Sequence, residues 1–500
     1  MRREGAAVIA ITLREIADVV SGTVHDGGDD VLVTAPAFVD SRKASAGGLF
    51  VALPGERVDG HDYITPAMRG GAAAVLAQRP VGVPAVVVED GVEALGLLAR
   101  HLLERRAALP GPPMTLIGIT GSVGKTTTKD LIAHMLGHRG ITIATPGNFN
   151  NEIGLPLTVS LVEDDTRFLV LEMGARGVGH IAYLAEVAPP SIGIVTNIGS
   201  AHLEDFGGYE KTTQAKGELV EALPSAADGG LAVLNADDER VRTMRPRTRA
   251  EVVMVGLAPD ADIRATDVTL DERGRACFTL NTPEGTAPVR LLLTGEHQIA
   301  NALSAAAVVR HLGFTTAEIA AGLGGASPAS RGRLEISERP DGVTIVNDAY
   351  NANPESTRAA LKALIAMAGG RRKIAVLGAN LGLGEETERE HRSLGERAAE
   401  LRIDLVVTVG GLEGADAAGF IAEGAAAAGA QVLTARDNVE ARALLEDLLR
   451  PGDIVLLKAS QPTGLQPLGE VLAGRSDSLE SAHTGRLVAP NKQPSLKHEH

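Results

Sequence analysis

The apolar residues of this 500-residue chain fall in short buried runs that alternate with segments of helical periodicity. From Met114 the order is an apolar strand, a glycine-rich loop and a helix. The helix is predicted from apolar side chains spaced along one helical face, Leu131, Ile132, Met135 and Leu136. Two further apolar strands follow, RFLVLEM and SIGIVTN. Strands that alternate with helices predict a parallel sheet covered by helices on both faces.

The same alternation occurs on both sides of this central segment. Residues 1–106 contain the runs LFVAL, AAAVLA and PAVVVED with turn glycines between them, which predicts a small α/β domain. From about Gly342 the predicted strands are VTIVND, KIAVLG, DLVVTVG and DIVLLK, and the predicted helices lie near 354–368, 387–401, 413–428 and 437–449. This pattern predicts a Rossmann-like sheet. No G-x-G-x-x-G motif opens its first helix, so nicotinamide binding is not supported.

Segments that break the alternation divide the chain. Residues 105–113 and 324–335 are rich in proline, glycine or serine and are predicted linkers. Residues 250–294 contain short strands without intervening helices, which predicts an appended antiparallel patch. We find no internal repeat. We predict an α/β protein with a small N-terminal domain, a central P-loop domain, a Rossmann-like C-terminal domain and a disordered polar tail, at 1–106, 114–325, 332–475 and 476–500.

Composition narrows the classes of function. Aromatic residues make up 2% of the chain and tryptophan is absent, so the cores are expected to be aliphatic. A net charge of −15 argues against general affinity for nucleic acid, although a local basic pocket for a nucleotide is compatible with it. The single cysteine, Cys277, excludes an intrachain disulfide framework and a metal site built from cysteines. The apolar run AAVIAI is too short for a membrane span, so we expect a cytoplasmic protein without membrane association.

The stretch GITGSVGKTTTKD, Gly118 to Asp130, is the strongest chemical signal. Its glycines allow backbone N–H groups to turn towards a phosphate, and the following helix adds its positive end. We expect Lys125 to reach the outer phosphates of ATP and Thr126 to bind Mg²⁺. The strict pattern G-x-x-x-x-G-K-[ST] is not met, because Ile119 stands where a glycine is usual. The alternative is an ordinary glycine-rich turn between a strand and a helix.

Other polar residues come where parallel strands of the same sheet end. Glu172 ends RFLVLEM, and Asn197 ends the next strand with His202 following in the loop. Chemistry in open α/β sheets concentrates at this edge. Beside a phosphate loop, Glu172 is expected to bind Mg²⁺ or hold a water, the alternative being a structural acid. For His202, the sequence supports equally a role in binding metal or phosphate and the interpretation as an ordinary loop histidine.

Several long motifs occur in a fixed order along the chain. They are GITGSVGKTTTKDLIAHML, TPGNFNNEIGLPLTV, LEMGARGVGHI, TNIGSAHLEDFGG, AKGELVEAL, TGEHQIANALSAAAV and VNDAYNANPES. Together they resemble the Mur ligases, most closely the members that add D-alanyl-D-alanine to UDP-N-acetylmuramoyl-tripeptide. Residues 40–64 look like the nucleotide-sugar domain of that family. The resemblance covers roughly residues 10–470.

The resemblance implies a reaction and a place in cell-wall peptidoglycan synthesis. ATP phosphorylates a substrate carboxylate to an acyl phosphate, an amine attacks it, and ADP, phosphate and a new amide result. Negative charge on the carboxylate and on the γ-phosphate must be neutralised for this step, which suits a lysine, Mg²⁺ and a helix N-terminus. The family resemblance also implies a monomer whose domains close around ATP, a nucleotide-sugar peptide and an amino acid or dipeptide.

The resemblance assigns roles residue by residue. Catalysis would involve Lys125, Glu172, His202 and Lys216, and Mg²⁺ would be held by Thr126, Glu172, His202 and Lys216. ATP would be bound by Gly121, Ser122, Gly124, Lys125, Thr126, Thr127, His297, Asn301, Arg333 and Asp348. Substrates would meet Ser41, Arg42, Asn148, Asn150, Asn151, Asn351, Asn353 and Lys458. Lys216 matches a lysine that the family often carbamylates, the alternative being a solvated helix lysine. Asn351 and Asn353 are equally well interpreted as turn residues.

Two C-terminal segments depart from the resemblance. The family usually has D-M-x-E-L-G where this chain has Ala379 and Asn380 and then Gly382. It usually has K-G-S-R-S-M where this chain reads KASQPTG, with Gln461 at the arginine position followed by Pro462. A missing arginine removes a bidentate clamp for a carboxylate.

These departures leave the acceptor open. We interpret them as a paralogue that joins a different amino acid, dipeptide or amine, with a different acyl donor also open. Drift in a loop of an ordinary family member is the alternative, and addition of D-alanyl-D-alanine to the tripeptide stays the nearest known activity. Two other classes of function stay open. One is a non-catalytic Mur-like binding protein, which the intact phosphate-loop residues disfavour. The other is a P-loop ATPase that uses ATP hydrolysis for a conformational change and joins no substrates.

Overall fold

The computed structural model describes residues 8–55, 58–200, 206–327, 330, 332–411, 415–476 and 479. His202 and the tail predicted at 476–500, apart from 476 and 479, lie outside the described residues. The remaining chain forms the α/β architecture expected from the alternation of strands and helices. Its sheets belong to an N-terminal, a central and a C-terminal region.

The N-terminal region is a small, mostly parallel sheet with helices packed against it. The sheet has the order β2-β7-β6-β5-β4, and β1 pairs separately with β3. The strands are β1 (Ile11–Thr12), β2 (Thr23–His25), β3 (Leu32–Val33), β4 (Ala37–Phe38), β5 (Leu49–Val51), β6 (Ala74–Ala77) and β7 (Ala85–Val87). The helices are α1 (Leu13–Val19), α2 (Ile64–Arg69) and α3 (Gly91–Ala108). Helix α3 therefore runs two residues past the boundary predicted at 106.

The central region is built on a sheet of order β16-β15-β14-β13-β12-β11-β8-β10-β9. Its strands are β8 (Thr115–Thr120), β9 (Thr142–Ala144), β10 (Phe168–Glu172), β11 (Ile192–Val195), β12 (Leu231–Asn235), β13 (Glu251–Gly256), β14 (Ile263–Leu270), β15 (Arg275–Thr282) and β16 (Gly285–Thr294). Its helices are α4 (Lys125–Leu136), α5 (Gly154–Val159), α6 (His180–Val187), α7 (Tyr209–Glu221), α8 (Glu239–Arg242), α9 (Gln298–His311) and α10 (Thr316–Gly325).

Strand pairing places the glycine-rich loop at the middle of this sheet. Strand β8 lies between β10 and β11 and is parallel to both. The chain leaves β8 towards one edge and returns to the other side of it, so the loop after β8 lies where the strand order reverses, the usual position of ligands in open α/β sheets. The patch predicted at 250–294 is antiparallel between β14, β15 and β16, whereas β13 still pairs in parallel with β12 and β14.

The C-terminal region is a second doubly wound sheet of order β17-β18-β22-β19-β20-β21. Its strands are β17 (Glu335–Glu338), β18 (Thr344–Asn347), β19 (Lys373–Leu377), β20 (Leu405–Val409), β21 (Val432–Ala435) and β22 (Ile454–Lys458). Its helices are α11 (Pro354–Ala368), α12 (Thr387–Glu400), α13 (Ala415–Ala427), α14 (Asn438–Leu448) and α15 (Leu465–Leu472). The four predicted strands and helices are present, and the edge strands β17 and β21 are additional.

The first two regions share one aliphatic core. Buried residues of α1 and α3, such as Leu13 and Leu95, belong to the same apolar cluster as Leu155, Leu171 and Met173 of the central region. Burial of this much continuous apolar surface fixes the two regions against each other. In the part of the chain that the structure describes, no helix is long and apolar enough to cross a membrane.

Helices α12 and α13 pack backbone to backbone through glycine. A Cβ atom on Gly395 would lie 2.1 Å from the carbonyl oxygen of Ile421, whereas one on Gly419 of α13 would meet nothing within 4 Å. Alanine in a helix is ordinarily more stable than glycine by about 1 kcal/mol. Overpacking costs about 1–3 kcal/mol. We therefore expect Gly395→Ala to lower the melting temperature of the C-terminal region and Gly419→Ala to raise it slightly, measured by scanning calorimetry. Equal shifts in the two variants would contradict this packing.

Candidate functional site

The glycine-rich loop joins β8 to the N-terminus of α4 and is braced by the neighbouring strand β11. The backbone N–H of Val123 donates to Oδ1 of Asn197 at 2.9 Å, and Nδ2 of Asn197 donates back to the Val123 carbonyl at 3.0 Å. Ser122 N–H donates to the Asn197 carbonyl at 3.0 Å. Asn197 therefore shapes the loop, a role consistent with its prediction at a strand end. The helix that begins at Lys125 presents its N-terminus to the loop.

Two loop positions require glycine for space as well as for conformation. Gly121 and Gly124 have φ of +142° and +88°. A Cβ atom on Gly121 would lie 1.9 Å from Oγ1 of Thr196, and one on Gly124 would lie 2.2 Å from Oδ1 of Asn301. The backbone of the loop therefore approaches the segment after β11 and helix α9 more closely than a residue with a Cβ atom would allow.

Lys125 lies within the loop that it was predicted to serve. Its Nζ donates to the Gly121 carbonyl at 2.6 Å. Desolvation by the surrounding protein lowers the pKa of this lysine, the charge of Glu172 opposes that shift, and the charge of Arg333 adds to it. Lys125 therefore interacts electrostatically with the Glu172 carboxylate of its own region and with the Arg333 guanidinium of the C-terminal region. An anion bound at the loop would offset both the desolvation and the repulsion.

Glu172 lies at the end of β10 beside the loop. The strand register pairs it with Ile119 of β8, and its backbone N–H donates to Oγ1 of Thr145 at 2.9 Å. Its side chain is 1% exposed, and its Oε1 has no hydrogen-bond partner among the described residues. Oγ1 of Thr120, at the end of β8, is a second buried oxygen without a partner in that part of the chain. Buried polar atoms are rarely left unpaired, so these oxygens fit a site that takes a cation or water.

Lys216 lies on α7 and is buried next to these groups. Its ammonium lies 5.4 Å from the ring centroid of Phe206. Burial, and secondarily the charge of Lys125, lowers the pKa of Lys216 to about 7. The side chain is therefore not the solvated helix lysine of the alternative interpretation. A substantial fraction of this amine is uncharged near neutral pH, which is the form that reacts with an electrophile.

The metal set expected from the sequence is placed only in part. Thr126, Glu172 and Lys216 are described, and Thr126 and Glu172 are both buried. His202 lies outside the described residues. Within the described ranges there is no group of three or more His, Cys, Asp or Glu side chains that could hold a metal ion. The expected set draws on a threonine and a lysine as well, so it does not depend on such a group.

Helix α9 brings His297 and Asn301 to the other side of the phosphate loop. His297 is the residue before the helix, and Nε2 of Gln298 lies 3.1 Å from its ring nitrogen Nε2. Nδ2 of Asn301 donates to Oε1 of Gln298 at 2.7 Å, and its Oδ1 faces Thr128 of α4. His297 opens to the surface, but surrounding protein desolvates it and lowers its pKa to about 4. A neutral imidazole is therefore present at physiological pH.

The C-terminal region contributes Arg333 and Asp348. The guanidinium of Arg333 stacks over the ring of Tyr350, with its carbon 4.8 Å from the ring centroid. Oδ1 of Asp348 accepts the Leu334 N–H at 2.9 Å, and its Oδ2 pairs with Nζ of Lys458 at 2.7 Å. Burial lowers the pKa of Lys458, Asp348 opposes the shift, and Arg333 adds to it. The charge of Arg333 acts on Lys125 of the central region as well as on Lys458.

Lys458 is buried beside the loop that follows β18, and its contact with a substrate stays a prediction. It is 4% exposed, and its Nζ also donates to the Asn351 carbonyl at 2.8 Å. Both bonds secure the loop that follows β18. Asn353 caps α11, with Oδ1 accepting the Ser356 N–H at 2.8 Å, as the turn-residue interpretation predicts. Asn351 is exposed, with its own side chain bonded to the Ala352 N–H.

The expected acyl-donor contacts lie between the first two regions. Asn148, Asn150 and Asn151 form the loop before α5, where Oδ1 of Asn151 accepts the Gly154 N–H at 2.9 Å. Nζ of Lys43 lies 5.7 Å from the ring centroid of Phe149 in this loop, so the segment that carries Ser41 and Arg42 lies beside it. Arg42 is exposed and is paired bidentately with Asp40, at 2.9 Å for both bonds.

The two segments that depart from the family pattern bond to each other. Ser460 N–H donates to the Ala379 carbonyl at 2.9 Å, and Leu381 N–H donates to Oγ of Ser460 at 3.0 Å. Ala379 and Asn380 are 1% and 2% exposed. Oδ1 of Asn380 accepts from Oγ1 of Thr357 at 2.8 Å, so this side chain faces α11. Gly382, Gln461 and Pro462 are only half-buried and are the departures that can face a substrate.

Three groups near the site were missed in the sequence. They are Tyr350 under Arg333, Glu355 at the start of α11, and His391, whose Nε2 accepts the Asn380 N–H at 2.9 Å. Tyr350 and Glu355 lie inside the motif VNDAYNANPES, so the motif was the available signal. No local pattern indicates which of its residues face the central region.

Known protein families match all three regions. The Mur ligase family catalytic domain matches residues 38–102, the Mur ligase middle domain matches 119–309, and the Mur ligase glutamate ligase domain matches 332–461. The UDP-N-acetylmuramoyl-tripeptide–D-alanyl-D-alanine ligase of Mycobacterium tuberculosis H37Rv is 43% identical over 502 residues, spanning 93% of this chain and 98% of its own length. The chain belongs to the Mur ligase family. As a Mur ligase it is an ATP-dependent, ADP-forming enzyme.

Solved structures resemble this Mur ligase throughout. Crystal structure I of MurF from Acinetobacter baumannii has a TM-score of 0.82 and 30% identity, covering 93% of this chain and 99% of its own. MurF from Thermotoga maritima in complex with ADP has a TM-score of 0.72 and 31% identity, covering 89% and 98%. The same-named ligase of Escherichia coli K12 is 36% identical over 407 residues, or 81% of this chain and 86% of its length. The predicted fold class and family are therefore confirmed.

The close approach at Gly124 predicts a specific loss of nucleotide binding. Gly124→Ala places a Cβ atom against Asn301, and we expect binding of Mg·ATP to weaken by about tenfold or more, equivalent to about 1.4 kcal/mol. Gly313→Ala is the matched control, because Gly313 has nearly the same φ, +85°, but nothing within 4 Å of the added atom. Titration calorimetry on both variants separates backbone strain from steric overlap. Equal affinities for the two variants would contradict the proposed loop geometry.

Proposed function

We propose that this Mur ligase joins D-alanyl-D-alanine to the tripeptide of UDP-N-acetylmuramoyl-tripeptide at the expense of ATP. The observation that carries the proposal is the phosphate loop in which the charge of Glu172 acts on Lys125, with a buried Glu172 oxygen that has no hydrogen-bond partner among the described residues. Relatives with this activity in their names, alignable over nearly their whole length, support the choice of substrates. The proposed product is the corresponding pentapeptide nucleotide, with ADP and phosphate.

The residues around the loop suit phosphoryl transfer to a carboxylate. Lys125, the α4 N-terminus and Arg333 supply positive charge where two anionic substrates must approach each other. Thr126 and Glu172, with His202 and Lys216 implied by the family pattern, would hold Mg²⁺. Bound there, Mg²⁺ neutralises phosphate and carboxylate charge and orients both groups. Catalysis on this account is positioning and charge neutralisation, so no covalent nucleophile of the protein is required.

Carbamylation of Lys216 is part of the proposal. The uncharged amine adds to CO₂, forming an N–C bond and releasing one proton, and the lysine becomes an anionic carbamate. Burial of Lys216 beside Lys125 favours this change, because it replaces two like charges in a desolvated site by an opposite pair. Glu172 and a carbamate on Lys216 would then both offer anionic oxygens to Mg²⁺.

The three regions would divide the substrates between them. Ser41 and Arg42 of residues 1–106 would meet the UDP group, and the asparagine loop of the central domain, 114–325, would place the peptide carboxylate. The C-terminal domain, 332–475, would bring the amine. Arg333 and Asp348 would face the ATP phosphates when the domains close. We place the reaction in the cytoplasm, where ATP and nucleotide sugars are made, and expect a monomer.

A redirected acceptor is the second candidate, and a specific observation bears on it. Of the departures from the family pattern, Ala379 and Asn380 face the interior, so they alter packing and not a substrate surface. Gln461 and Pro462 are half-buried at the end of β22 and replace a usual arginine. A different amine would be recognised there. The non-catalytic and ATPase alternatives lack such a supporting observation.

The substrate requirement tests the function. We expect phosphate release from Mg·ATP to need both UDP-N-acetylmuramoyl-tripeptide and D-alanyl-D-alanine, with the pentapeptide nucleotide detected by mass spectrometry. Turnover restored only by another amine would assign the redirected acceptor. Phosphate release that needs neither substrate would identify an ATPase, and no turnover with any pair would identify a binding protein.

Lys125→Ala tests the catalytic centre. We expect turnover to fall below detection, because the variant loses the charge that faces the phosphates, while the melting temperature stays near that of the wild type. Lys362→Ala, an exposed lysine on α11, is the control and should leave turnover unchanged. Near wild-type turnover in Lys125→Ala would refute the site.

A further inference from the structure

A carboxylate of the C-terminal region accepts hydrogen bonds from one residue of the central region with both of its oxygens. Oε1 of Glu355 accepts the backbone N–H of Ser200 at 3.0 Å, and Oε2 accepts from Oγ of the same serine at 2.8 Å. Ser200 is 4% exposed and Glu355 is half-buried, so both bonds are partly shielded from water. Hydrogen bonds to a charged acceptor are about twice as strong as neutral ones. The bidentate geometry therefore defines one orientation of α11 relative to the end of β11.

Ser200, the residue that donates to Glu355, is directly connected to the phosphate loop through its neighbour Gly199. Oγ of Ser122 accepts the Gly199 N–H at 2.8 Å and donates to the Gly199 carbonyl at 3.2 Å. A Cβ atom on Gly199 would lie 3.1 Å from the carboxyl carbon of Glu355, so the two chains are in close contact here. A continuous series of bonds thus runs from Ser122 through Gly199 and Ser200 to Glu355. The phosphate loop is therefore connected to the first turn of α11 through the segment after β11.

Stabilisation of its own helix does not account for this placement of Glu355. Helix α11 is already capped by Asn353, whose Oδ1 accepts the Ser356 N–H, and by the reciprocal bond from the Asn353 N–H to Oγ of Ser356. A glutamate in the first turn needs only to face the helix N-terminus to interact with the dipole. Instead, both oxygens of Glu355 are directed across the domain boundary.

The charge of Glu355 also reaches the helix that carries Lys216. Tyr209 is the first residue of α7, and its pKa is raised by burial and then by the charges of Glu355 and Glu390. Arg358, one turn after Glu355, pairs with Glu390 at 2.6 Å. Glu355 therefore bonds to the segment after β11, which braces the phosphate loop, and lies near the start of α7, the helix that carries Lys216.

We propose that Glu355 is a positioning residue that locks the C-terminal domain onto the phosphate loop during catalysis. Its hold on Ser200 fixes the domain orientation in which Arg333 and Asp348 approach the nucleotide. Loss of the carboxylate leaves ATP binding to the central domain intact but makes the productive orientation rarer. The effect therefore falls on kcat and on the apparent affinity for the amine. This inference rests on the ligase function proposed above.

Kinetics on a graded pair of variants tests the lock. We expect Glu355→Ala to lower kcat by about tenfold or more, the equivalent of about 1.4 kcal/mol, with KM for ATP nearly unchanged. Glu355→Gln keeps one acceptor oxygen and should recover part of the loss. Glu388→Gln is the matched control, because Glu388 is also a first-turn glutamate of this region, but its partner is Arg392 on its own helix. Its kcat should equal that of the wild type.

A double-mutant cycle with Ser200→Ala assigns the effect to the pair. Ser200→Ala removes the Oγ bond and should lower kcat less than Glu355→Ala does, and adding it to Glu355→Ala should cost nothing more. Additive losses would overturn the proposal. So would an unchanged kcat in Glu355→Ala, or a loss in kcat matched by an equal rise in KM for ATP.

X-ray scattering tests the same lock without turnover. With Mg²⁺ and a non-hydrolysable ATP analogue, we expect Glu355→Ala to have a larger radius of gyration than the wild type and Glu388→Gln to match the wild type. Equal radii for all three proteins would overturn the lock. This measurement needs neither the amine nor the acyl donor. A failed assignment of the substrates is therefore distinguishable from a failed assignment of Glu355.

Discussion

Two desolvated lysines and one buried glutamate set the electrostatics on which the site depends. Lys125 and Lys216 both have lowered pKa values because protein surrounds them, and the charge of Lys125 lowers the pKa of Lys216 further. Glu172 lies beside them with an oxygen that has no partner among the described residues. Such an arrangement is costly in the absence of an anion and a cation to complete it. The central sheet supports it because β8 and β10 end side by side.

Much of the remaining structure serves to bring other groups to this point. Helix α9 presses Asn301 against Gly124, and β11 braces the loop through Asn197. The C-terminal sheet adds Arg333, whose charge acts on Lys125 in one domain and Lys458 in the other. Neither sheet alone would surround two anionic substrates with positive charge. The contact between Glu355 and Ser200 lies at the junction of the two sheets.

Local pattern predicted the elements well and their mutual contacts poorly. Buried strands at Thr115–Thr120 and Phe168–Glu172, and the helix that starts at Lys125, follow from apolar runs and from the glycines between them. The edge strands Glu335–Glu338 and Val432–Ala435 are half-buried and have weaker apolar patterns, which is why they were not predicted. From the sequence alone, Asn380 is interpreted as a change at a substrate-binding surface, yet its side chain is buried against Thr357. Its orientation depends on α11, which is distant in sequence. Glu355 is a similar case, since its partner is 155 positions away.

The central claim is that a carboxylate is phosphorylated at the Lys125 loop. It is tested most directly by labelling both carboxylate oxygens of the acyl donor with ¹⁸O and following the label through one turnover with Mg·ATP and the amine. The account predicts that the released inorganic phosphate carries one ¹⁸O atom from the donor, because the bond from carboxylate oxygen to phosphorus survives when the amine displaces the phosphate. Unlabelled phosphate, or label recovered in AMP, would contradict it.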